Sequence, residues 1–415
     1  MRKKMLSVLL TVVLLSTTFA GCGKQEASTT PTAPTKEETI TIQYATWGGA
    51  AEKATEVEII DAFMKEHKSI KVEIIHAEDS YEDKLQLMVA GGTMPDVVSI
   101  GSVHIASFAS ALSPLDTSDI DTSQYISDTL FTKLQYQGEQ YALPKRVNTK
   151  VFAYNKDLLE QAGVEIPGTD YSIDQFTKDA TAVSKIEGVY GSSALYYGQW
   201  IYQFGGSIFN EDGTVAFNSD LGKEAVQYCV DAANKYNFAP TATDTEGQDV
   251  LQWFMSKKVG FFGDCGPYYL PTLSQITDFD WDFCNAPGNG GEMEVVGVAM
   301  SNTTEHKEEA MELIKFISTA KAAQEIIGGT SACPVTEDGK VAFLAQYPDK
   351  NMQLFFDAMQ TQTIQPIVKG ASSVINTLYS AIYDRTKLGG GDEDVSVVLD
   401  EVAEEATALL KEAQK

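Results

Sequence analysis

The alternation of apolar and polar residues predicts a regular order of strands and helices in the first folded segment. Thr41–Trp47 (TIQYATW) alternates and ends before Gly48 and Gly49, which predicts a strand followed by a turn. An apolar repeat at helical spacing follows, then a strand at IKVEII, a helix at YEDKLQLMVAGG and a strand at DVVSI. This order predicts a parallel, doubly wound sheet, and such sheets bind ligands beyond the carboxyl ends of their strands.

The second half of the chain mixes strands and helices in a less regular order. From Tyr141, YALPKRVNTKVFAYNKDLL predicts a strand and a helix, and LGKEAVQYCVDAANKY is an amphipathic helix. KKVGFFGDCGPYYL predicts a strand that ends in a glycine-rich loop, and EVVGVAMS predicts a short strand before a long helix. The folded part, which runs from about Ile40 to the C-terminus, is too long for one ordinary core, so we expect two lobes.

The first residues carry a targeting pattern. Three basic residues precede the apolar run Met5–Leu15, which is too short to span a bilayer, and two small residues precede Cys22. This pattern resembles a bacterial lipoprotein signal, with Phe19 where that family most often has leucine. The resemblance implies a signal peptide over residues 1–21 and a diacylglycerol thioether, with further acyl chains such as palmitate, on Cys22. An ordinary signal peptide with an incidental cysteine is the alternative.

Residues 22–39 then comprise the lipidated cysteine and a predicted disordered tether. The segment is rich in Thr, Pro, Lys and Glu and nearly lacks large apolar residues. Such a chain reaches roughly 20 Å. We therefore expect a lipid-anchored protein on the outer face of the cytoplasmic membrane, and the long tether favours the cell surface of a bacterium with a single membrane.

Charge and cysteine usage narrow the classes of partner. The net charge of −27 argues against nucleic acid and against an anionic lipid surface, so membrane contact is expected through the lipid anchor only. Besides Cys22 the cysteines are scattered without a Cys-x-x-Cys pair, so no metal site and no cofactor are expected. The sequence leaves open whether Cys265 and Cys284 form a disulfide or whether Cys229, Cys265, Cys284 and Cys333 are free.

No catalytic motif is apparent. The four histidines form no His-Glu-x-x-His motif, and neither a phosphate loop nor a nucleophile elbow occurs. We therefore expect a binding protein and no enzyme. Carboxylates are abundant, so a lipid-anchored glycoside hydrolase remains an alternative, as does a binder of a non-sugar solute.

Five segments, in this order, resemble the family 1 extracellular solute-binding proteins of bacterial ABC transporters, the maltose/oligosaccharide-binding type. The segments are YEDKLQLMVAGGTMPDVVSI, LSPLD, YALPKRVNTKVFAYNKDLL, FMSKKVGFFGDCGPYYL and VVGVAMSNTTEHKEEAMELIKFIS. The resemblance covers nearly everything from Ile40 to about Tyr383. It implies an α/β, two-lobed periplasmic-binding-protein-like fold of the class II type, each lobe a central β-sheet flanked by helices, joined by a multi-strand hinge.

By the same resemblance, lobe 1 comprises residues 40–147 and 299–333, and lobe 2 comprises residues 148–298 and 334–415. The implied function is an extracellular receptor that captures a sugar or oligosaccharide between the lobes. The receptor would deliver the sugar to ABC permease subunits driven by separate ATPase subunits, and a monomer is expected.

A sugar offers apolar C–H faces and a rim of hydroxyl groups, so its site needs aromatic rings and polar side chains. The resemblance and the predicted strand ends together indicate the candidate ligand-binding residues Trp47, Asp79, His104, Arg146, Asn148, Tyr197, Trp200, Asp264 and Tyr268. Asn148 stands where the maltose binders place a carboxylate, and Tyr268 stands where they stack a tryptophan. The amide at Asn148 still bonds hydroxyl groups, and the change from a carboxylate implies a different sugar.

Overall fold

The computed structural model describes residues 39–245, 250–330 and 332–414. The predicted signal peptide, the lipidation site at Cys22 and nearly all of the tether lie outside these residues. No helix in the described ranges is both long and apolar enough to cross a bilayer.

Strands and helices are numbered in chain order within the described residues. The strands are β1 (Ile40–Trp47), β2 (Ile70–Ala77), β3 (Val97–Gly101), β4 (Leu112–Ser113), β5 (Gln135–Tyr136), β6 (Glu139–Gln140), β7 (Ala142–Asn148), β8 (Val151–Asn155), β9 (Tyr190–Ser192), β10 (Val259–Cys265), β11 (Trp281–Cys284), β12 (Glu292–Ser301), β13 (Cys333–Pro334) and β14 (Thr363–Ile364).

The helices alternate with these strands and cover both sheets. They are α1 (Ala50–Glu66), α2 (Tyr81–Ala90), α3 (Ile105–Phe108), α4 (Asp128–Thr132), α5 (Lys156–Ala162), α6 (Ile173–Val183), α7 (Tyr197–Gln203), α8 (Asp220–Asn234), α9 (Ala242–Thr245), α10 (Val250–Met255), α11 (Leu270–Leu273), α12 (Lys307–Thr319), α13 (Lys321–Gly328), α14 (Glu337–Ala345), α15 (Leu354–Asp357), α16 (Ala371–Arg385) and α17 (Val395–Ala413).

The larger sheet has the strand order β13-β7-β12-β3-β1-β2, and β4 and β14 also pair with β12. Strand β1 is parallel to both β2 and β3, with α1 and α2 as the crossovers, so the predicted doubly wound start is confirmed. Strand β12 runs antiparallel to β3 and β7. The carboxyl ends of β1, β3 and β7 therefore share one edge with the start of β12.

The smaller sheet has the strand order β11-β8-β10-β9. Strand β8 is antiparallel to β10, with Cys265 opposite Val151, and β9 is parallel to β10. The start of β8 and the ends of β9 and β10 therefore lie at one edge of this sheet.

Apolar side chains from opposite sheet faces form separate cores. Tyr44 on β1 packs with Phe63 of α1 on one face of the larger sheet. Phe176 of α6 and Phe261 of β10 pack on one face of the smaller sheet. A further cluster contains residues of both sheets, so apolar packing continues between the lobes.

The cysteines of the described residues are buried free thiols. Cys229, Cys265, Cys284 and Cys333 are all free, so the structure favours the free-thiol alternative over a bridge between Cys265 and Cys284.

One change of sheet lies at a different point from the one expected. The first change of sheet lies between Asn148, which ends β7, and Val151, which starts β8. The expected change near Val298 is displaced, because all of β12 from Glu294 pairs with strands of the larger sheet. The sequence had suggested a shorter strand, since its apolar letters begin only after Glu294.

After Pro334 the chain contacts the smaller sheet as well as the larger one, because the Phe355 ring of α15 lies 5.0 Å from the Phe283 ring of β11. Helix α14 packs against α13, where Gly328 lies so close to the Gly339 carbonyl that a Cβ would approach to 2.1 Å. Strand β14 then pairs with β12. Only after Ile364 does the chain reach α16 and α17, which pack with α8 in one apolar cluster.

One side chain ties the three connections together. The Gln362 amide accepts a hydrogen bond from the Lys150 backbone N–H at 3.0 Å and donates to the Lys150 carbonyl. It also donates to the Gly290 carbonyl at 2.7 Å. Lys150 lies in the first connection, Gly290 in the second, and Gln362 immediately precedes β14 in the third. The hinge is therefore a bonded unit of three chain segments.

A charged pair is buried between helix α1 and the larger sheet. Lys145 on β7 and Glu56 on α1 form an ion pair with side chains 1% and 2% exposed. The Lys145 ammonium also donates to the Tyr44 hydroxyl at 2.8 Å and the Ser99 hydroxyl at 3.1 Å. Burial lowers the pKa of Lys145 to about 8, and Glu56 opposes that effect. The pair links a helix to a strand that carries candidate site residues.

We predict that Lys145→Met destabilises the protein by about 3–5 kcal/mol, because it leaves the Glu56 carboxylate buried without a cation. The double variant Lys145→Met, Glu56→Leu should recover much of that loss. The free energy of unfolding in urea measures both. Lys65→Met, on an exposed position of the same helix α1, is the control. Equal stability of the Lys145 and Lys65 variants would contradict the prediction.

Candidate ligand-binding cleft

The candidate site lies where the functional edges of the two sheets meet. Trp47, Gly101 and Asn148 end β1, β3 and β7 at one edge of the larger sheet. The next strand of the chain, β8, starts at Val151, which lies opposite Cys265 at the end of β10. Because Asn148 and Val151 are so close in the chain, the two edges face each other across the hinge.

The wall formed by the larger sheet carries an aromatic platform. Trp47 is half-buried, and its ring lies 4.9 Å from the Tyr81 ring at an interplanar angle of 35°. The Tyr81 hydroxyl donates to the carbonyls of Ala45 and Ser99, which holds the tyrosine against the sheet. The Arg146 guanidinium lies 5.5 Å from the centre of the Trp47 ring. Trp47 and Arg146 are therefore brought together as predicted.

Polar groups lie along the same wall. The Asn148 amide donates to the Glu294 carboxylate at 3.4 Å. That carboxylate occupies the space beside Gly101, where a Cβ would come within 2.1 Å of Glu294 Oε1. The His104 ring lies 3.7 Å from Glu82 Oε1 and bonds the Ser372 hydroxyl at 3.2 Å. Because Ser372 belongs to α16, His104 joins the two lobes.

The opposite wall is organised around Lys150. Its ammonium donates to the Tyr268 hydroxyl at 2.6 Å, lies 4.9 Å from the centre of the same ring, and is 3.6 Å from Asp264 Oδ1. Asp264 has a φ of 53°, in the left-handed region that non-glycine residues seldom adopt. The structure thus brings Asp264 and Tyr268 together, and the predicted pair gains a cation that sequence reasoning missed.

Burial shifts the pKa values of these groups. Burial raises the pKa of Asp264, and Lys150 opposes the rise. Burial by itself would lower the pKa of Lys150, but Asp264 and Tyr268 outweigh it and raise that pKa. Burial also raises the pKa of Tyr268. The lysine thus compensates a carboxylate that would otherwise carry the full cost of leaving water.

Glu292 is a further carboxylate that the sequence analysis did not single out. Gln365 donates a hydrogen bond to the Glu292 carboxylate. The Glu292 backbone N–H donates to the Gln199 side-chain oxygen at 2.9 Å. Burial raises the pKa of Glu292 to about 7, with Gln365 and Lys150 acting in the opposite direction. Glu292 starts β12 and Gln365 follows β14, so this bond joins two of the hinge connections.

Two of the predicted aromatic residues lie on α7 and are buried or half-buried. Trp200 is 2% exposed and packs with Phe152 and Phe176 in the core of the smaller sheet. It also lines a small cavity beside Asp264, so its contact with a ligand stays a prediction. Tyr197 is half-buried, and its hydroxyl donates to the Tyr379 carbonyl. Both residues lie on α7, whose short helical turn directs them inward. Tyr196, which immediately precedes the helix, is the exposed aromatic residue.

Asp79 follows the end of β2, where Ala77 pairs with Trp47 at the end of β1. The Asp79 side chain is 85% exposed and pairs with Lys84 at 3.0 Å. It follows β2, the edge strand furthest from the hinge in the larger sheet. A contact between Asp79 and a ligand stays a prediction.

The cleft residues that were not among the sequence candidates differ in how readily the sequence could have indicated them. Lys150 stands two positions after Asn148 in the same segment, so the candidate pattern could have been extended to it. Tyr196 adjoins the predicted Tyr197. To choose it, the start of α7 would have had to be predicted to within one residue. Glu292 and Glu294 required knowledge that β12 belongs to the larger sheet.

Comparisons with known proteins define the class. The family model described as "Bacterial extracellular solute-binding protein" matches residues 47–324. The chain belongs to this family of extracellular solute-binding receptors.

Curated relatives are distant but cover most of the chain. A protein of Brucella abortus (strain 2308), described as a binding protein, is 24% identical over 374 residues, 85% of this chain and 89% of the relative. The arabinooligosaccharide-binding protein of Bacillus subtilis (strain 168) is 23% identical over 273 residues, 62% of this chain and 60% of the relative.

Solved structures share the fold. An ABC substrate-binding protein from Listeria monocytogenes in complex with cycloalternan has a TM-score of 0.81 at 24% identity, over 90% of this chain and 100% of that chain. The GacH receptor of Streptomyces glaucescens has a TM-score of 0.76 at 23% identity, over 90% of this chain and 99% of that one. The predicted α/β, two-lobed periplasmic-binding-protein-like fold is therefore confirmed.

We predict that Glu292 makes unfolding depend on pH. The pKa of Glu292 in the folded protein is about 7, above the ordinary 4.5. The protonated carboxyl group therefore contributes its full stability below about pH 4.5, and this contribution is lost as pH rises through about 7. Relative to Glu292→Gln, the wild type should lose roughly 1–3 kcal/mol over that interval. Urea unfolding at several pH values measures the difference.

Glu58→Gln, at an exposed position of α1, is the matched control for removal of one carboxyl group. If the difference in unfolding free energy between the wild type and Glu292→Gln does not change with pH, the buried state of Glu292 is refuted.

Proposed function

We propose that the protein is a carbohydrate receptor of an ABC transporter, one that binds a sugar or oligosaccharide between its lobes and performs no catalysis. The observation that carries the proposal is a half-buried aromatic ring on each wall, Trp47 and Tyr268, each beside hydrogen-bonding charged groups. Rings pack on the C–H faces of a sugar, and charged groups form its stronger hydrogen bonds. The oligosaccharide-binding relatives support this choice of ligand.

Lobe closure supplies the signal for transport in this proposal. A permease distinguishes loaded from empty receptor only if the ligand binds the closed form more tightly than the open form. A ligand that contacts Trp47 and Tyr268 together would meet that condition, because the two rings lie on different lobes. The permease and its ATPase subunits are separate chains in this proposal, and the receptor acts as a monomer.

The lipid anchor is part of the same proposal. Cys22 and its leader lie outside the described residues, and the proposal rests on the sequence pattern and on the extracellular family. Two or three acyl chains are enough for durable anchoring, where one chain is marginal.

We predict that Trp47→Ala and Tyr268→Ala each weaken sugar binding at least about tenfold, with little loss of stability, because each removes one stacking surface. A thermal-shift screen with maltose, maltotriose, raffinose, arabino-oligosaccharides and galacto-oligosaccharides would identify the ligand. Titration of tryptophan fluorescence would then give the affinity, and product analysis would detect any hydrolysis.

Tyr136→Ala is the control, since β5 lies next in sequence to the amino end of β7, away from the cleft. Unchanged affinity in both cleft variants would refute the site, and turnover of an oligosaccharide would favour a hydrolase.

We predict that Cys22→Ala abolishes acylation and releases the protein from the membrane when it is expressed with its own leader in a bacterium. Metabolic labelling with a palmitate analogue and membrane fractionation measure the two effects. Cys229→Ala, which removes a buried thiol, is the control. Labelling that survives in the Cys22 variant would contradict the anchor.

A further inference from the structure

Glu292 occupies a point where the hinge and the cleft meet. It starts β12 in the second connection, and its carboxylate accepts a hydrogen bond from Gln365, which follows β14 in the third. The backbone N–H and carbonyl of Glu292 both bond the side chain of Gln199 on α7, at 2.9 and 3.4 Å. Helix α7 packs on the smaller sheet through Trp200. Glu292 is therefore held between a strand of the larger sheet and a helix of the other lobe.

The titratable groups that interact with the Glu292 carboxyl group come from both lobes and from the hinge. They are Lys150, Tyr196, Tyr202, Asp264, Glu294 and Tyr379. Burial is the largest influence and raises the pKa of Glu292 to about 7, while Gln365 and Lys150 lower that pKa and the carboxylates of Glu294 and Asp264 raise it. Water is therefore the main thing that the ionised form lacks in this position.

A buried acceptor beside the carboxyl group favours the protonated form. Gln365 is 5% exposed and its Nε2 bonds Glu292, yet its Oε1 accepts no hydrogen bond from any described residue. Buried amide oxygens in folded proteins normally have a donor. A protonated Glu292 offers an O–H group to the same amide, whereas an ionised Glu292 can only accept. Protonation can therefore add a second bond between two hinge connections.

We propose that Glu292 regulates the cleft as a proton switch: its protonated carboxyl group favours closed lobes, and its ionised form favours open lobes. The reason is hydration, because an ionised carboxylate gains water when the lobes separate, whereas a protonated one keeps its bonds within the hinge. Lys150 attracts the ionised form and reduces this effect, but burial outweighs it. The inference rests on the proposed function, since it assigns regulation to the same cleft.

Small-angle X-ray scattering of the ligand-free protein tests the switch at about pH 5.5 and about pH 8.5, on either side of the transition expected near 7. We expect the radius of gyration to rise with pH. Glu292→Gln keeps the size of the side chain, cannot ionise, and carries an amide that can donate to Gln365 Oε1. This variant should keep the smaller radius at both pH values. Difference infrared spectroscopy should show a carboxylic-acid band that the wild type loses near pH 7 and the variant lacks.

Glu58→Gln is the matched control, because it removes a carboxyl group from an exposed position of α1 and should respond to pH as the wild type does. His104 also joins the lobes, through Ser372. If His104 carried the response, Glu292→Gln would still respond like the wild type. A radius that does not change with pH, that falls as pH rises, or that changes equally in the wild type and Glu292→Gln would overturn the proposal.

Sugar titration at about pH 6 and about pH 8 gives a second measurement, with maltotriose, raffinose, arabino-oligosaccharides and galacto-oligosaccharides as probes. The closed form binds ligand more tightly, so the affinity for any that binds should fall about tenfold as pH rises, and Glu292→Gln should remove most of that fall. An equal fall in the variant, or a rise with pH, would contradict the switch. If none of these sugars binds, the proposed sugar function fails, whereas the scattering experiment still decides on the switch.

Discussion

The hydrogen bonds of Gln362 hold the hinge together, and the alignment of the two lobes depends on this hinge. Three chain segments pass between the lobes side by side, and this single amide bonds the backbones of Lys150 and Gly290. Binding between two lobes needs such a constraint, because each wall must meet the other in a repeatable position. The bond from Gln365 to Glu292 adds a second tie between neighbouring segments.

Polar chemistry at the cleft follows from that geometry. Strand ends at the hinge are partly withdrawn from water, so charges placed there need partners. Lys150 meets Asp264 and Tyr268, and Asn148 meets Glu294. These pairs keep hydrogen-bonding groups half-exposed, where hydroxyl groups of a sugar could replace or extend them. The contact with Arg146 likewise leaves the aromatic ring of Trp47 half-exposed.

Sequence reasoning succeeded where local pattern and strand direction suffice. Trp47 and Asn148 were placed by the ends of β1 and β7, and the structure has them at the hinge edge. Local pattern could not show that Trp200 packs in the core of the smaller sheet, because Phe152 and Phe176, which surround it there, are distant from it in the chain. For Asp79, strand ends gave its position after β2, whereas only the structure shows its exposed ion pair with Lys84.

The apolar periodicity of the chain determined the strands and helices and the parallel start of the larger sheet. These features depend on short-range spacing, which the printed letters contain. The tertiary structure decided that β12 completes the larger sheet, that Glu292 and Lys150 join the cleft, and that Gln362 joins three hinge segments. These features depend on contacts between residues far apart in the chain, as Gln362 and Lys150 are, and spacing carries no record of which distant strands pair.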